Sequence, residues 1–144
     1  MSFKTPISVL VVIHTAGHEI LLLERALHPG YWQSVTGSIE DGETLAQTAL
    51  REVEEETGIV AAAADLIDWQ QTNTYEIFPE WRHRYAPGVT QNTEHVFSLE
   101  VPRNTPIHIA PGEHLAHCWL PQEAAAEKVF SWSNRDAILQ LNKR

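Results

Sequence analysis

Three glutamates lie close together in one predicted helix of this 144-residue chain. Glu52, Glu55 and Glu56 have the i, i+3, i+4 spacing that places side chains on one side of a helix. Their carboxylates repel one another, and they lie toward the helix C-terminus, where the macrodipole disfavours negative charge. Because this arrangement weakens the helix, we interpret it as a site for a divalent cation. Mg²⁺ takes hard oxygen ligands of this kind, usually a few carboxylates together with substrate phosphates.

The helix that carries these acids is predicted from its two ends and its apolar face. Thr44 and Gln47 have the spacing of a capping box, and Gly58 lies where a C-terminal cap is expected. The apolar arc that should face the core consists of Leu45, Ala46, Ala49, Leu50 and Val53. The acids border this arc, so we expect them along the wall of a cleft. A solvated acidic face is the alternative for such a run of charges.

A longer pattern around the helix favours the metal site. The pattern is G-x5-E-x7-R-E-U-x-E-E-x-G-U, where U is a bulky aliphatic residue. It is matched at each specified position by Gly37, Glu43, Arg51, Glu52, Val53, Glu55, Glu56, Gly58 and Ile59. The segment therefore resembles the Nudix box, the loop-helix-loop signature of hydrolases that act on a nucleoside diphosphate linked to another group. The resemblance implies an α/β protein of the Nudix fold, an α/β/α sandwich with a mixed β-sheet, with residues 1–144 as one domain.

The resemblance also implies roles for residues of the box. Glu52, Glu55 and Glu56 are expected to bind the metal, Mg²⁺ with Mn²⁺ as a possible substitute, helped by the carbonyl of Gly37. Arg51 is expected among the catalytic residues, where it would support the loop and orient the acids. It precedes Glu55 by four residues, which is an ion-pair spacing on a helix.

A further acid is expected from another loop. Hydrolysis of a diphosphate requires an attacking water and stabilisation of charge on the phosphoryl oxygens and the leaving group. We select Glu113, at a predicted loop-strand junction, as metal ligand and catalytic residue, with Glu94 as the second candidate. An exposed turn acid is the alternative for Glu113. As the base that removes the proton from water we favour Glu56 over Glu113, although the sequence leaves this choice open.

Four segments outside the box indicate which Nudix subfamily the chain resembles. Residues 32–37, 82–90, 113–116 and 131–135 resemble one bacterial Nudix subfamily, the pyrophosphohydrolases of folate synthesis. This implies that water cleaves dihydroneopterin triphosphate to the monophosphate and pyrophosphate, with Mg²⁺ required. Two alternatives stay open: a pyrophosphohydrolase for nucleoside or deoxynucleoside triphosphates, and a catalytically silent Nudix-fold module that binds a ligand. The expected partner is a small molecule, a pterin or a nucleoside triphosphate, and the oligomeric state is left unknown.

Candidate substrate-binding residues follow from the chemistry of a flat ring and a triphosphate. Aromatic side chains can stack on the ring or wall its pocket, and the candidates are Trp32, Tyr75, Phe78 and Trp81. Basic side chains can hold phosphate oxygens, and the candidates are Lys4, Arg25 and the cluster Arg82-His83-Arg84. Thr36 and Ser131 can donate hydroxyl hydrogen bonds near the phosphates. Ordinary packing for the aromatic residues, and solvation for Lys4 and the basic cluster, are the alternatives.

Composition restricts the other partners and the compartment. The formal net charge is −9 with eight histidines counted as neutral, which opposes binding to nucleic acid or to an anionic membrane. The apolar run at residues 7–13 is too short to span a membrane. The single cysteine, Cys118, excludes an internal disulfide and fits a reducing cytosol, so we expect a cytoplasmic protein.

The remaining elements are predicted from periodicity and turn residues. Strands are expected at residues 7–14, 19–25, 32–36, 68–75, 94–101 and 114–120, with helices at 124–130 and 134–141. Ser133 or Asn134 should cap the last helix. Strands around one central helix, with a C-terminal helix on the other sheet face, indicate three layers.

Overall fold

A mixed β-sheet forms the centre of the protein, whose computed structural model describes residues 3–143. Within these residues the sheet has seven strands: β1 Ile7–His14, β2 Glu19–Arg25, β3 Trp32–Gln33, β4 Val35–Ser38, β5 Leu66–Glu76, β6 Gln91–Glu100 and β7 His114–Pro121. Strands β1 and β6 are parallel over their length, and the other pairs are antiparallel. The strand order is β3-β2-β1-β6-β5, with β4 also paired to β1 and β7 to β2.

Helices cover both faces of the sheet. The helix α1 (Leu45–Thr57) packs on one face, and α2 (Gln122–Lys128) and α3 (Trp132–Gln140) pack on the other. Short 3-10 turns lie at Ala63–Asp65, Pro79–Arg84 and Leu141–Lys143. This confirms the expected α/β/α sandwich. Of the helices in residues 3–143, none has the length and apolar character needed to cross a membrane.

Strand β1 is buried on both faces, which explains its nearly continuous apolar sequence. Successive side chains of a strand point to opposite faces. Val11 accordingly packs in the core beneath α1 with Val53, whereas Val12 packs in the core beneath α2 and α3 with Ile138. The parallel β6 is the neighbour of β1, so the sheet centre is fixed by these two strands.

The two ends of α1 form as predicted. The hydroxyl oxygen of Thr44 accepts a hydrogen bond from the backbone N–H of Gln47 at 3.1 Å, and the Gln47 side chain accepts one from the Thr44 N–H at 2.8 Å. Gly58 ends the helix in the left-handed conformation, with φ 78°, and its N–H donates to the carbonyl of Glu54 at 2.8 Å. Local residue chemistry therefore sets both boundaries.

The buried face of α1 differs from the predicted apolar arc at two positions. Ala46 is exposed, whereas Thr48 is fully buried. The Thr48 hydroxyl donates a hydrogen bond to Oε1 of Glu43 at 2.8 Å, which offsets the cost of burying it. The helix is thus rotated so that the line Thr48, Glu52, Glu56 faces inward.

The predicted strand at residues 32–36 is divided at Ser34 into β3 and β4. The predicted cap of the last helix, Ser133 or Asn134, was also wrong, and contacts between Ser34 and Asn134 explain both differences. The Ser34 N–H donates to Oδ1 of Asn134 at 2.8 Å, and Nδ2 of Asn134 donates to the Ser34 hydroxyl at 3.0 Å. Asn134 is therefore occupied by the strand break, and Ser131 caps α3 by accepting from the Asn134 N–H at 3.2 Å. The other elements shift by a few residues at their ends.

We predict that Gly58→Ala lowers the free energy of unfolding by roughly 1–2 kcal/mol for the left-handed backbone alone. A Cβ at residue 58 would also lie 3.1 Å from Cβ of His108, a contact that requires movement of that side chain. Gly42→Ala is the matched control, because Gly42 has φ 83° but open space around the added Cβ. Urea unfolding should show the larger loss for Gly58→Ala. Equal losses would mean that the His108 contact has no energetic weight.

Candidate active site

A cavity of about 530 Å³ lies at one end of the sheet. Its lining residues come from the first residues of β1, β6 and β7 and from the last residues of β2, β4 and β5. Antiparallel neighbours bring the starts and ends of strands to the same edge of the sheet. Side chains from α1 and from the start of α3 complete the wall. The lining includes three kinds of residue: an acid group (Glu52, Glu56, Glu113), an aromatic group (Phe78, Trp81, Phe130) and a buried polar group (Asn92, Glu94, Ser133).

The acid group concentrates negative charge that protein groups compensate incompletely. Glu56 is only 3% exposed, and its Oε1 has no hydrogen-bond partner among the residues that the structure describes. Burial, followed by the charges of Glu52 and Glu113, raises the pKa of Glu56 well above its usual value, against a hydrogen bond from the Thr36 backbone. Burial likewise raises the pKa of Glu52 to about 7, with the Arg51 charge opposing the shift. The three carboxylates therefore act on one another.

Gly37 is required by the position of Glu52. The Glu52 carboxyl group lies against the backbone of Gly37, and a Cβ at residue 37 would overlap it. The glycine thus lets an α1 carboxylate reach the end of β4, where the cavity begins.

The acid group fits a divalent cation in its chemistry. Across residues 3–143, no three carboxylate, imidazole or thiolate groups converge closely enough to hold a metal ion as the side chains stand. The unpaired Oε1 of Glu56 and the mutual repulsion with Glu52 and Glu113 are what a cation would relieve.

Arg51 joins the loop before α1 to the helix. Its Nε donates to Oε2 of Glu43 at 2.6 Å and its second terminal nitrogen donates to Oε1 of Glu43 at 3.0 Å, a two-pronged contact. It also donates to the Ser38 carbonyl at 3.1 Å. The hydrogen bond from Arg51 is the main reason that the pKa of Glu43 falls to about 2. Arg51 does not line the cavity, so its place in the structure is that of a positioning residue.

Glu55 is more exposed than the other two box glutamates. Its side chain is 52% exposed and accepts a hydrogen bond from Arg51 at 3.2 Å, the ion pair that the spacing predicts. It is not among the residues that line the cavity. Glu52 and Glu56 line the cavity, and Glu55 interacts with Glu52 beside it.

The structure places nearly all of the predicted substrate-binding residues in one cavity. The lining includes Lys4, Arg25, Thr36, Tyr75, Phe78 and Ser131. Trp32 is the exception, since it packs against the core beneath α2 and α3, with the Lys128 ammonium 4.8 Å from its ring centre. Of the basic cluster at residues 82–84, only Arg84 lines the cavity; Arg82 turns back to the carbonyl of Ile77.

The aromatic group forms one wall of the cavity, and the sequence predicted only two of its three residues, Phe78 and Trp81. Phe78 and Trp81 stack with ring centres 5.0 Å apart, and Phe130 meets Trp81 edge-on at 6.0 Å. The Arg25 guanidinium lies 4.6 Å from the centre of the Trp81 ring, and its Nε has no partner within residues 3–143. Phe130 was not predicted for this wall. Its position directly before Ser131 was the available signal.

Two buried titratable residues of the cavity were also not predicted in these positions. His114 lies 3.8 Å from Oε1 of Glu56, and burial followed by the Arg25 charge lowers the pKa of His114 to about 4. Its imidazole is therefore neutral near pH 7, and the contact with Glu56 is not an ion pair. Glu94 is 4% exposed, and burial raises its pKa to about 7 against a hydrogen bond from Ser133.

Comparison with known proteins identifies the family of this chain. A family model for the NUDIX domain matches residues 4–141, and the chain belongs to the Nudix family, whose hydrolases act on diphosphate bonds. Members of the family generally use divalent metal ions.

Individual relatives are similar over nearly the whole chain. The chain is 52% identical to a dihydroneopterin triphosphate diphosphatase of Escherichia coli strain K12, covering 96% of this chain and 93% of the relative. It is 41% identical to a protein of the same name from Haemophilus influenzae, with 96% and 88% covered. A solved structure of the E. coli dihydroneopterin triphosphate pyrophosphohydrolase superposes with a TM-score of 0.91 at 50% identity, covering 98% of this chain and 97% of that one. The fold expected from the sequence is confirmed.

We predict that Glu94→Gln stabilises the protein at alkaline pH. A carboxyl group whose folded pKa is raised supports the fold below its unfolded pKa, and this support is lost as pH rises through the folded pKa. Because the pKa of Glu94 is raised from 4.5 to about 7, the free energy of unfolding of the variant should rise relative to that of the wild type by roughly 3 kcal/mol between about pH 4 and about pH 8. Urea unfolding at both pH values measures this gain.

Glu100→Gln is the control for that experiment, because Glu100 is an exposed residue of the same strand. Its difference from the wild type should change with pH by much less than that of Glu94→Gln. Equal changes with pH in the two variants would contradict the raised pKa of Glu94.

Proposed function

We propose that this chain hydrolyses dihydroneopterin triphosphate to dihydroneopterin monophosphate and pyrophosphate, with Mg²⁺, in the cytoplasmic synthesis of folate. The observation that carries the proposal is the 52% identity over nearly the full length to the E. coli protein named for this activity. The cavity supports it, because one set of lining residues is acidic and another is aromatic. These suit a metal-bound triphosphate and a flat ring respectively.

The residues proposed to hold the cation are the acid group, Glu52, Glu56 and Glu113, with the carbonyl of Gly37. When bound, Mg²⁺ neutralises charge on the phosphoryl oxygens and lowers the pKa of water. Mn²⁺ accepts the same oxygen ligands and is proposed as a substitute. Glu55 is also proposed to bind the cation, and its ion pair holds Arg51 in place.

Water is the nucleophile of the proposed reaction. Its oxygen forms a bond to phosphorus, the anhydride bond between the α- and β-phosphoryl groups breaks, and pyrophosphate leaves. A carboxylate accepts the proton that the water loses. Glu56 is the proposed acceptor because its Oε1 is buried at the cavity with no partner in the described part of the chain, and Glu113 is the second candidate.

The remaining lining residues divide between phosphate and ring. Arg25 and Arg84 are proposed to bind phosphate oxygens, and the unpaired Nε of Arg25 is available for this. Lys4, at the exposed rim, is proposed to act in the same way. The aromatic group is proposed to stack on the pterin ring or wall it, because aromatic faces pack well on flat heterocycles.

The substrate proposal is tested by hydrolysis of dihydroneopterin triphosphate beside a panel of nucleoside and deoxynucleoside triphosphates, with Mg²⁺ and with EDTA. We expect metal-dependent release of pyrophosphate, with the pterin preferred by kcat/KM. Preference for a nucleotide would replace the substrate and keep the reaction. Absence of turnover of any of them with Mg²⁺ would contradict the enzymatic proposal and favour a ligand-binding module.

Glu56→Gln tests the acid group. The variant neutralises a cavity carboxylate at nearly constant shape, so kcat should fall by about 100-fold or more. Glu54→Gln removes the same charge from an exposed position of α1, outside the cavity, and should retain activity within about twofold. Near-normal turnover by Glu56→Gln would remove Glu56 from the mechanism. A similar loss in both variants would attribute the effect to net charge.

A further inference from the structure

Glu94 is a buried acid that the proposed hydrolysis does not use. It lies on β6, two residues after Asn92, so both side chains point to the sheet face covered by α3. Both residues line the cavity, at 4% and 2% exposure. Ser133, at the start of α3, hydrogen-bonds to the Glu94 carboxyl group. Glu94 is therefore held in place at the cavity wall, away from α1.

The hydrogen bonding of this buried polar group is incomplete. Oε1 of Glu94 and Oδ1 of Asn92 each lack a partner within residues 3–143. The amide nitrogen of Asn92 is already used, since it donates to the Ser8 hydroxyl at 2.7 Å and the Tyr75 hydroxyl at 3.0 Å. An unpaired buried acceptor costs free energy, and folded proteins satisfy the great majority of such atoms. Two of them in the wall of one cavity indicate a ligand that donates hydrogen bonds.

The aromatic group indicates the shape of that ligand. A flat ring fits beside Phe78, Trp81 and Phe130, and its edge would reach acceptors in the cavity wall. A 2-amino-4-oxopyrimidine ring has a ring N–H next to an exocyclic amino group, two donors that match the two oxygens of one carboxylate. The corresponding edge of adenine has one donor and one acceptor, and the acceptor would face the carboxylate unfavourably.

We infer that Glu94 determines specificity by accepting hydrogen bonds from the 2-amino-4-oxopyrimidine edge of the substrate ring, the edge that pterins and guanine share. Asn92 assists as a second acceptor. This inference rests on the proposed function, because it assigns the ring end of the same cavity. The residues that recognise the ring then lie on the sheet face covered by α3, separate from the acids of α1.

One internal partner competes with this interpretation. Asn73 is opposite Glu94 in the β5–β6 pairing, and its Nδ2 also lacks a hydrogen-bond partner in the described residues. A rotation that joins the two side chains would satisfy both without a ligand. In that case Glu94 would be a structural residue of the sheet, and its replacement would leave ring binding unchanged.

Binding of 7,8-dihydroneopterin, the ring without its phosphates, separates these cases. The titration is made without Mg²⁺, for the wild type, Glu94→Gln and the same-strand control Glu100→Gln. The glutamine amide would face the ring donors with a donor of its own, so Kd should rise about 10- to 100-fold in Glu94→Gln. Glu100→Gln should stay within about twofold. An unchanged Kd in Glu94→Gln would overturn the inference.

Guanosine and inosine form a second matched pair, since inosine lacks only the 2-amino group. The wild type should bind guanosine more tightly than inosine, and Glu94→Gln should bring the ratio of the two Kd values close to one. A ratio unchanged by the substitution would also overturn the inference. Adenosine should bind more weakly than guanosine to the wild type.

The two proposals fail separately in these experiments. Ring binding that depends on Glu94, in a protein that does not hydrolyse dihydroneopterin triphosphate, would support the ring site and refute the reaction. Hydrolysis with a normal KM in Glu94→Gln would support the reaction and refute the ring site. If both hold, the substitution should raise KM for dihydroneopterin triphosphate by a larger factor than it lowers kcat, because the acid group is intact.

Discussion

The burial of Glu56 at the end of the sheet is the constraint on which the site depends. A carboxylate in this position is strongly disfavoured unless it is neutralised, paired or bound to a metal. Within residues 3–143 the one basic side chain at ion-pair distance from its Oε1 is His114, which is neutral near pH 7, while Lys4 and Arg25 act on Glu56 from farther away. Glu52 and Glu113 make the demand for positive charge stronger. Because the pKa of Glu56 is raised, its protonated form is favoured without a cation, and a bound cation would favour the carboxylate.

Other residues of the box hold these carboxyl groups in position. Gly37 leaves the space that the Glu52 carboxyl group occupies, and Arg51 fixes the loop to α1 through Glu43. A guanidinium and a carboxylate that match in geometry hold each other more firmly than a single hydrogen bond would. Arg51 therefore makes its shortest contacts with the scaffold, and of the acid group it pairs with Glu52 alone, with 3.5 Å between the two side chains. A strong ion pair between Arg51 and Glu43 beside the cavity can therefore coexist with weakly paired carboxyl groups inside it.

Features that depend on neighbouring residues in the chain were predictable from the sequence, and features that depend on distant contacts were not. The caps of α1 and the extent of β1 and β2 follow from local residue types, and they were predicted correctly. Ala46 was wrongly assigned to the buried face, and the burial of Thr48 was missed because it depends on a hydrogen bond to Glu43, outside the helix. Trp32 was placed in the pocket because aromatic character does not tell a cavity wall from a core.

The same distinction applies to the polar residues of the cavity. Glu94 was considered only as a second metal candidate, since a strand pattern alone does not show that its face meets α3. The alternation of Asn92 and Glu94 with the core residue Val96 was a usable signal. Retaining an uncompensated acid there lowers stability, and proteins keep such residues where a ligand uses them.

The parallel pairing of β1 with β6 has a consequence for how the molecule is made. A parallel pair needs a long crossover, and closing it costs chain entropy before any contact repays it. The Ser8–Asn92 and Ser34–Asn134 hydrogen bonds join residues 84 and 100 positions apart. Until β6 has been translated, the edge of the apolar strand β1 that pairs with it is open, and open apolar edges favour aggregation.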